Sequence, residues 1–204
     1  MTAEQTRKLF HDLKNDMAAM TALTSLHKLY KDMYSSEDLL NRVFERQTVI
    51  ASAYEKLYQL DNYPYIELSK YLNDVYSKLS RSFSMYCSGV QIHKQVPELQ
   101  LHLKTVLPLV QIIVELISNS YRHAFIGKTD GKKINITISE EGGRLTVIYT
   151  DNGTGFPDTF DPAKSRTLGM QFITSLTKQL GGKLEFETPE TGVSVLLGLE
   201  IQKG

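Results

Sequence analysis

The sequence predicts an α+β protein in which an antiparallel helical hairpin is followed by an α/β sandwich. Apolar residues in the first part of the chain recur every three or four positions, which is the period of an amphipathic helix. Beyond about residue 88, short runs of alternating apolar and polar residues are separated by glycine-containing turns, which is typical of strands. We therefore expect two domains, a hairpin over residues 1–62 and a sandwich over residues 63–204.

The composition excludes several classes of protein. Of the 204 residues, 41% are apolar and 23% are charged, a balance typical of a globular protein. The formal net charge is zero, so the basic excess of a nucleic-acid-binding protein is missing. Cys87 is the only cysteine, which excludes an internal disulfide and a cysteine-based zinc site. We expect no signal peptide, no membrane span and a cytoplasmic location, since no apolar run reaches roughly 18–20 residues.

The first predicted helix carries a histidine outside its apolar stripe. The stripe consists of Leu9, Leu13, Met17, Met20 and Leu23. At about 100° per residue, His11 lies roughly 200° from Leu9 around the helix axis, so it faces away from the start of the stripe. A lone histidine in such a position is most often a plain surface residue, and only the rest of the chain decides whether it has a chemical role.

A second predicted helix follows the segment YSSEDLL. Ser35 and Asp38 have the spacing of a capping box, which starts a helix. The apolar stripe of this helix resembles a coiled-coil seam and consists of Leu40, Val43, Phe44, Gln47, Ile50, Ala51, Tyr54, Leu57 and Tyr58. One partner helix cannot cover a stripe of this length. Two hairpins packed as a four-helix bundle would cover it, so we expect a homodimer.

The remaining segments predict the sandwich. A third helix is expected over about residues 66–85, and the strongly apolar stretch VLPLVQIIVELISNSYRHAF predicts a fourth. GVQIHKQV predicts a strand, KINITIS and RLTVIYT predict a β-hairpin, and LGMQFITSLTKQLGG predicts a helix that ends at glycines. KLEFET and VSVLLGLEI predict the last two strands, and we expect helices on one face of the sheet.

The segment YTDNGTGFP predicts a loop that can approach a ligand closely. Asp151 stands at the end of a predicted strand, and Gly153 and Gly155 follow it. Glycines at this spacing let the backbone turn sharply, and a carboxylate in this place can accept a hydrogen bond from an exocyclic amine. Taken alone, the pattern is equally compatible with an ordinary hairpin turn.

Polar residues on the fourth predicted helix indicate a binding site. Glu115, Asn119 and His123 follow one another at four-residue intervals, so they share one face of an otherwise apolar helix. Buried polar groups need a partner. Mg²⁺ with its waters and phosphates would provide one, with Asn119 and Glu115 as oxygen ligands and His123 near the phosphates.

The segment SRTLGMQFI predicts an anion site. Leu168 and Gly169 begin a helix, and the free N–H groups and partial positive charge at a helix start favour a phosphate. Lys164 and Arg166 lie just upstream and would add positive charge, although surface charge is the simpler interpretation of both.

Taken in chain order, these segments resemble three boxes of the GHKL (Bergerat) ATP-binding fold, which histidine kinases share with type II topoisomerase subunits, Hsp90 and MutL. The fourth-helix segment ELISNSYRHAF resembles the N box, YTDNGTGFP the G1 box and SRTLGMQFI the G2 box. Within that group, the hairpin with HDLKN resembles the dimerisation and histidine-phosphotransfer domain of a sensor histidine kinase. The H box, the second-helix segment SAYEKLY and the short lid are most similar to the subfamily with an H-R-V-K-N type H box. The resemblance spans nearly the whole chain.

The resemblance implies roles for individual residues. His11 matches the phosphorylated histidine, Asn119 the Mg²⁺ ligand, and Asp151 the residue that contacts the adenine amine. The glycines that border the nucleotide are matched by Gly153, Gly155 and Gly169. The ATP lid is matched by residues 156–167. ATP and Mg²⁺ are therefore the implied cofactors, and an aspartate on the receiver domain of a response regulator is the implied acceptor.

Three positions qualify the resemblance. Asp12 stands where the H-R-V-K-N subfamily usually has arginine, and Asn15 lies four residues after His11. This H-D-x-x-N arrangement resembles commoner kinases, in which the acid acts as general base and the asparagine helps phosphatase activity. Val193 stands where family members often have a threonine that supports the adenine contact. The missing hydroxyl would weaken ATP binding.

The sequence therefore predicts a two-component histidine kinase core in which His11, with Asp12 and Asn15, takes a phosphoryl group from ATP. The input signal would come from a sensor domain of a longer protein or from a partner. Two alternatives stay open. One is a histidine phosphotransfer protein with a decayed second domain that does not bind ATP, and the other is an ATP-driven conformational machine or serine kinase on the same fold.

Overall fold

A computed structural model describes residues 7, 11, 13–14, 34–59, 64–157, 160–161, 164–165, 167–187 and 189–201. Most of the predicted first helix lies outside these ranges, as do the predicted site residues Asp12, Asn15 and Arg166. The four described positions in this segment are helical, and His11 is exposed, in agreement with the prediction.

The second predicted helix is present as α1, Ser36–Gln59. Its predicted capping box is formed, since the Asp38 N–H donates to Ser35 Oγ at 3.1 Å and the Ser35 hydroxyl donates to Asp38 Oδ2 at 2.9 Å. Glu37 and Asp38 also place negative charge in the first turn, where it interacts favourably with the positive end of the helix dipole.

The apolar side chains of α1 are divided between two environments. Val49 and Leu57 are buried in the core of the same chain, with exposures of 0% and 1%, whereas Leu40 is 70% exposed and Phe44 is 49% exposed. Ile50 is also buried. The prediction that Ile50 and Leu57 belong to an intermolecular seam is therefore wrong, because both pack inside their own chain.

A short two-stranded ribbon follows α1 and was not predicted. Its strands are β1, Tyr65–Glu67, and β3, Gln100–His102, and they pair antiparallel. Between them lie α2, Leu68–Tyr86, which is the predicted third helix, and β2, Gln91–Gln95. A strand of three residues is too short to show a period of its own, which is why the pattern missed the ribbon.

The apolar fourth helix has two parts. It begins as α3, Leu103–Asn119, and continues as a π-helical turn over Ser120–Ala124. Such turns widen the helix locally and are frequent at functional sites. The combined segment Leu103–Ala124 is the one described helix with the length and apolarity of a membrane span, and 83% of its most apolar window is buried inside the protein. This environment is that of a core helix.

Five strands form the main sheet in the order β2-β4-β5-β7-β6. The other strands of this sheet are β4 (Lys133–Glu141), β5 (Arg144–Asp151), β6 (Lys183–Glu187) and β7 (Val193–Glu200). β2 pairs with β4 in parallel, and all other neighbours are antiparallel. The predicted hairpin of β4 and β5 is confirmed, and so is the α+β fold class.

Alternation along β5 explains where the functional site lies. Leu145, Val147 and Tyr149 are buried on one face, and Asp151 continues the same alternation at the end of the strand. Buried residues of α2, α3 and the last helix, α4, Leu168–Gln179, belong to the same core cluster as this face, and the Tyr149 hydroxyl donates to the Leu116 carbonyl of α3 at 3.1 Å. The polar side chain of Asp151 is therefore directed towards the helical layer.

The core is continuous from α1 to β7. The Tyr71 hydroxyl on α2 donates to the Val49 carbonyl on α1 at 2.6 Å, and both residues belong to the same buried cluster as the sheet. The predicted domain boundary at residue 62 stays a prediction, and the chain packs across it.

Candidate functional site

A cavity of about 470 Å³ lies between α3, the π-helical turn, the loop after β5 and the start of α4. Five predicted site residues line it: Asn119, His123, Asp151, Gly155 and Gly169. The fold thus brings together segments that are distant in the sequence but were each singled out by their local pattern.

On the side of β5, hydrogen bonds fix the carboxylate of Asp151, which is 6% exposed. Its Oδ2 accepts from the Ser120 hydroxyl at 2.5 Å, and its Oδ1 accepts from the Gly153 N–H at 3.0 Å. Ser120 Oγ also lies 2.7 Å from the hydroxyl of Tyr149. Burial and the charge of Asp151 raise the pKa of Tyr149 well above its usual value, so its hydroxyl stays protonated. Sequence reasoning missed Ser120, although it directly follows Asn119.

Close backbone packing explains one of the predicted glycines. A Cβ atom on Gly153 would overlap the carbonyl and the side chain of Ala124, the last residue of the π-helical turn. The next residue, Thr154, donates its N–H to the Ala124 carbonyl at 2.8 Å. Gly153 is therefore required where the loop joins the helix, in addition to any contact with a ligand.

Most of the remaining wall is apolar. Phe156 stacks on Phe160 with ring centroids 4.9 Å apart and meets Phe186 edge-on at 5.9 Å. Val193 lines the same wall, and its side chain brings no hydroxyl to the site. The other apolar side chains of the lining are Leu116, Ala124, Ile126, Pro157 and Met170. Such a wall suits a flat aromatic group.

The start of α4 is in contact with the segment just before α1. The N–H of Leu168, predicted to face a phosphate, donates to the hydroxyl of Tyr34 at 3.2 Å. Tyr34 and Gly169 both line the cavity. Lys164 was also predicted here, but its side chain is 86% exposed and pairs with Asp161 at 2.9 Å on the surface. We therefore do not propose Lys164 as a binding residue.

Glu115 has a different role from the predicted one. Its Oε1 pairs with Arg42 Nη1 and its Oε2 lies 3.4 Å from Arg46 Nη2, and the residue is 3% exposed. Burial acts to raise the pKa of Glu115, but the arginines outweigh it and the net direction is downwards. Glu115 is paired with two buried arginines and does not line the cavity, so we do not propose it as a Mg²⁺ ligand.

A second buried ion pair lies beside the first. Arg122 Nη2 contacts Glu45 Oε1 at 2.6 Å, and Glu45 Oε2 accepts from the Ser118 hydroxyl at 2.8 Å. Burial raises the pKa of Glu45, although Arg122 opposes this shift. The two pairs fasten the N-terminal half of α1 to α3 and to the π-helical turn.

His123 faces the cavity from an exposed position. Partial burial lowers the pKa of its ring, and the nearby guanidinium groups of Arg42 and Arg122 lower it further. The imidazole is therefore neutral at neutral pH and can donate or accept a hydrogen bond. Among the described residues, no group of three histidine, cysteine or acidic side chains could hold a metal ion.

Two family models match the chain. The model described as "Histidine kinase" matches residues 9–83, and the model described as "Histidine kinase-, DNA gyrase B-, and HSP90-like ATPase" matches residues 105–203. The first range contains His11 and the second contains every described residue of β4 to β7 and of α4. The two ranges together leave only short segments of the chain unmatched.

Relatives match over nearly the full length. The sensor histidine kinase PdtaS of Mycolicibacterium smegmatis is 25% identical over 197 residues, which are 96% of this chain and 39% of PdtaS. Blue-light-activated histidine kinase 2 of Erythrobacter litoralis is 21% identical over 98% of this chain and 58% of its own length. The chain therefore spans about two fifths to three fifths of these relatives.

A solved structure has the same fold. The histidine kinase domain of the EL346 blue-light activated histidine kinase from Erythrobacter litoralis superposes with a TM-score of 0.74, covering 97% of this chain and 93% of that domain at 20% identity. The predicted H-box subtype stays a prediction. Taken with the two family matches, the fold and the cavity establish that the chain belongs to the histidine kinases and contains their catalytic core, a histidine-bearing helical segment followed by an ATPase domain.

Proposed function

We propose that this chain transfers the γ-phosphoryl group of ATP to His11 and then to an aspartate of a response regulator. The observation that carries the proposal is the cavity with the fixed carboxylate of Asp151, in a chain that also bears an exposed His11 on a helical segment. The family matches make the second half an ATPase domain, and the assignment of individual residues is our inference.

The residues around the cavity fit an adenine nucleotide. The buried carboxylate of Asp151 would accept a hydrogen bond from the adenine amine, and the apolar wall with Phe156 would contact the ring. Asn119, His123 and Gly169 would lie beside the phosphates. The absence of a threonine at Val193 removes one hydroxyl from the predicted adenine contact.

Asn119 is the residue that we propose as a ligand of Mg²⁺. Its amide oxygen is a suitable ligand, and Mg²⁺ usually keeps several waters and shares phosphate oxygens, so one protein ligand suffices. When bound, the ion neutralises negative charge on the phosphates. The neutral ring of His123 would donate a hydrogen bond to the same phosphates without adding positive charge.

At the phosphorylated residue, a neutral ring nitrogen of His11 would attack the γ-phosphorus. A nitrogen–phosphorus bond forms, the bond from phosphorus to the ADP oxygen breaks, and the proton on the other ring nitrogen passes to Asp12 as general base. Asn15 would assist hydrolysis of the product. Catalysis then depends mainly on positioning, because a separate domain must bring ATP to an outward-facing histidine.

We also propose the homodimer, the receiver-domain partner and the cytoplasmic location that the sequence predicts. The exposed side chains of Leu40 and Phe44 support a second copy as the partner of α1. A phosphotransfer protein with a decayed second domain is not favoured, because the ATPase model matches residues 105–203 and predicted nucleotide-binding residues line the cavity.

The test is incubation of the full chain with radiolabelled ATP and Mg²⁺. We expect label that is lost in acid and retained in alkali, as in a phosphoramidate, and we expect none in His11→Ala. His93→Ala is the matched control, because His93 is an exposed histidine on β2 outside the cavity lining. Undiminished labelling of His11→Ala would contradict the proposal, and acid-stable phosphoserine on a partner would indicate a serine kinase.

A further inference from the structure

The cavity is not built by the ATPase domain alone. Tyr34 and Arg42, which lie just before and on α1, line it together with Asn119 and Gly169. The guanidinium of Arg42 lies 5.3 Å from the centre of the Tyr34 ring, and the Tyr34 hydroxyl accepts from the first N–H of α4. One wall of the cavity therefore belongs to the helical segment of the chain.

The buried charges beside this wall are unequal. Arg42 and Arg46 share the single carboxylate of Glu115, while Arg122 pairs with Glu45. Three guanidinium groups thus face two carboxylates. Asp151, the remaining carboxylate of the cavity, is held on the other side by Ser120 and Gly153. Among the described residues, one buried positive charge next to the cavity therefore has no buried carboxylate of its own; Asp38, whose charge also acts on His123, is only partly buried.

Arg42 is the arginine of this group that can reach a ligand. It is 3% exposed, and it lines the cavity while its Nη1 contacts Glu115. Like the Nε of Arg46 and of Arg122, its Nε has no hydrogen-bond partner among the described residues. A guanidinium has five N–H donors and forms paired hydrogen bonds with phosphate. It can therefore keep Glu115 and bind a second anion at the same time.

We propose that Arg42 is a nucleotide-binding residue that contacts the phosphate chain of a nucleoside triphosphate, so that α1 completes the binding site. The inference rests on the proposed function, because it requires a nucleotide in this cavity. The inference adds Arg42, a residue outside the ATPase domain, to the nucleotide-binding site. The positive charge of Arg42 would stabilise the phosphates. Burial, and after it Arg42 and Arg122, lower the pKa of His123, while Asp38 and Glu115 act in the opposite direction, in agreement with a position of Arg42 close to the cavity lining.

Arg46 provides a matched control. It lies on the same helix, is 4% exposed and pairs with the same carboxylate, but its guanidinium stacks on Phe172 at 3.8 Å and does not line the cavity. If Arg42 acted only by neutralising Glu115, substitutions of the two arginines would have equal effects on nucleotide binding.

The experiment compares two ligands in competition with a fluorescent ATP analogue. The full chain, Arg42→Met, Arg42→Lys and Arg46→Met are titrated with a non-hydrolysable ATP analogue plus Mg²⁺, and with adenosine. In Arg42→Met we expect the triphosphate affinity to fall about ten- to a hundredfold, since a hydrogen bond to a charged group is lost. Adenosine affinity should change less than about twofold, and the ratio of the two affinities should be unchanged in Arg46→Met.

Each outcome has a definite meaning. An unchanged ratio in Arg42→Met, or the same change of ratio in Arg46→Met, would overturn the role of Arg42. If Arg42→Met loses adenosine binding as well, it has not folded and Arg42→Lys decides. Lysine keeps the charge but lacks the paired donors. In Arg42→Lys the ratio of triphosphate affinity to adenosine affinity should therefore fall severalfold, and an unchanged ratio would overturn the inference. Failure of the unsubstituted chain to bind either ligand would instead contradict the proposed function.

Discussion

At the scale of single residues, Asp151 shows how a weak sequence pattern becomes a defined site. Its two oxygens accept hydrogen bonds from different donors, Ser120 and Gly153, which fixes the orientation of the carboxylate. A carboxylate oxygen has a second lone pair, so each can accept one more hydrogen bond. This preorganised acceptor is the group that we assign to the adenine amine.

Replacement of Asp151 by asparagine should weaken binding of a fluorescent ATP analogue about ten- to a hundredfold, because a neutral amide cannot form the charge-assisted hydrogen bond. Asp12→Asn should keep the affinity and slow labelling of His11, since we assign Asp12 to the nucleophile. Titration of both variants with the analogue provides the measurement. Equal loss of binding in the two would show that the roles are assigned wrongly.

The site residues that the sequence predicts share one property. Asn119, Asp151, Gly155 and Gly169 each lie in a short segment whose local pattern indicates its conformation, such as a strand end or a helix start. Arg42 had no such signal. In the sequence it is one of several charged residues on an amphipathic helix, and its burial depends on contacts with residues more than 70 positions away.

At the scale of elements, α1 presents two different surfaces. Arg42, Glu45 and Arg46 lie on the face that packs against the ATPase domain, and Leu40 and Phe44 lie on the face that remains exposed. The sequence predicts the helix and its cap correctly because both depend on local residues. It assigned Ile50 to the wrong surface because the stripe alone does not say which of two apolar partners covers it.

Replacement of Leu40 and Phe44 by glutamate should abolish the proposed dimer and leave ATP binding intact, because charged side chains cannot be buried unpaired against a second α1. Met85→Glu is the control, since Met85 is 72% exposed and lies on α2. Sedimentation velocity over a range of concentrations measures the association.

Labelling of His11 should fall with dimer content if transfer occurs across the dimer or needs a formed bundle. An unsubstituted chain that sediments as a monomer at tens of micromolar and is fully active would contradict both the bundle and this dependence. A charge at Ile50 would not serve this test, because it would enter the core of the same chain.

The packing of α1 on α3 explains why the role of Glu115 was predicted wrongly. An unbroken α-helix puts Glu115, Asn119 and His123 on one face. The structure ends α3 at Asn119 and widens the next turn, so that Ser120 reaches Asp151 while Asn119 and His123 line the cavity. Glu115, one turn earlier, is covered by α1. The contacts that cover Glu115 join residues 73 and 69 positions apart, so the local pattern of the helix does not predict them.

At the scale of the whole molecule, α1 and the ATPase domain share one core, so we expect them to unfold together. Leu57→Ala should lower the free energy of unfolding by about 2–5 kcal/mol, because the removed methyl groups leave a cavity. Ala51→Ser, an exposed position on the same helix, should change it by less than about 0.5 kcal/mol. Urea denaturation followed by circular dichroism and by release of a bound ATP analogue measures both.

The two signals should give coincident midpoints, and Leu57→Ala should shift both equally. Two separate transitions, with only the circular dichroism signal shifted, would mean that the helical segment and the ATPase domain are independent units. That result would support the boundary that the sequence predicts at residue 62.

The two halves of α1 are attached by different chemistry. Its C-terminal half is held by hydrocarbon contacts of Val49 and Leu57, and its N-terminal half is held by the ion pairs of Arg42 and Glu45. Water compensates separated ions by hydration and does not compensate exposed hydrocarbon. A partial release of α1 would therefore begin at its N-terminal half and pivot about the C-terminal half. The surface so uncovered would include the charged groups of Arg42, Glu45 and Glu115, which water can hydrate.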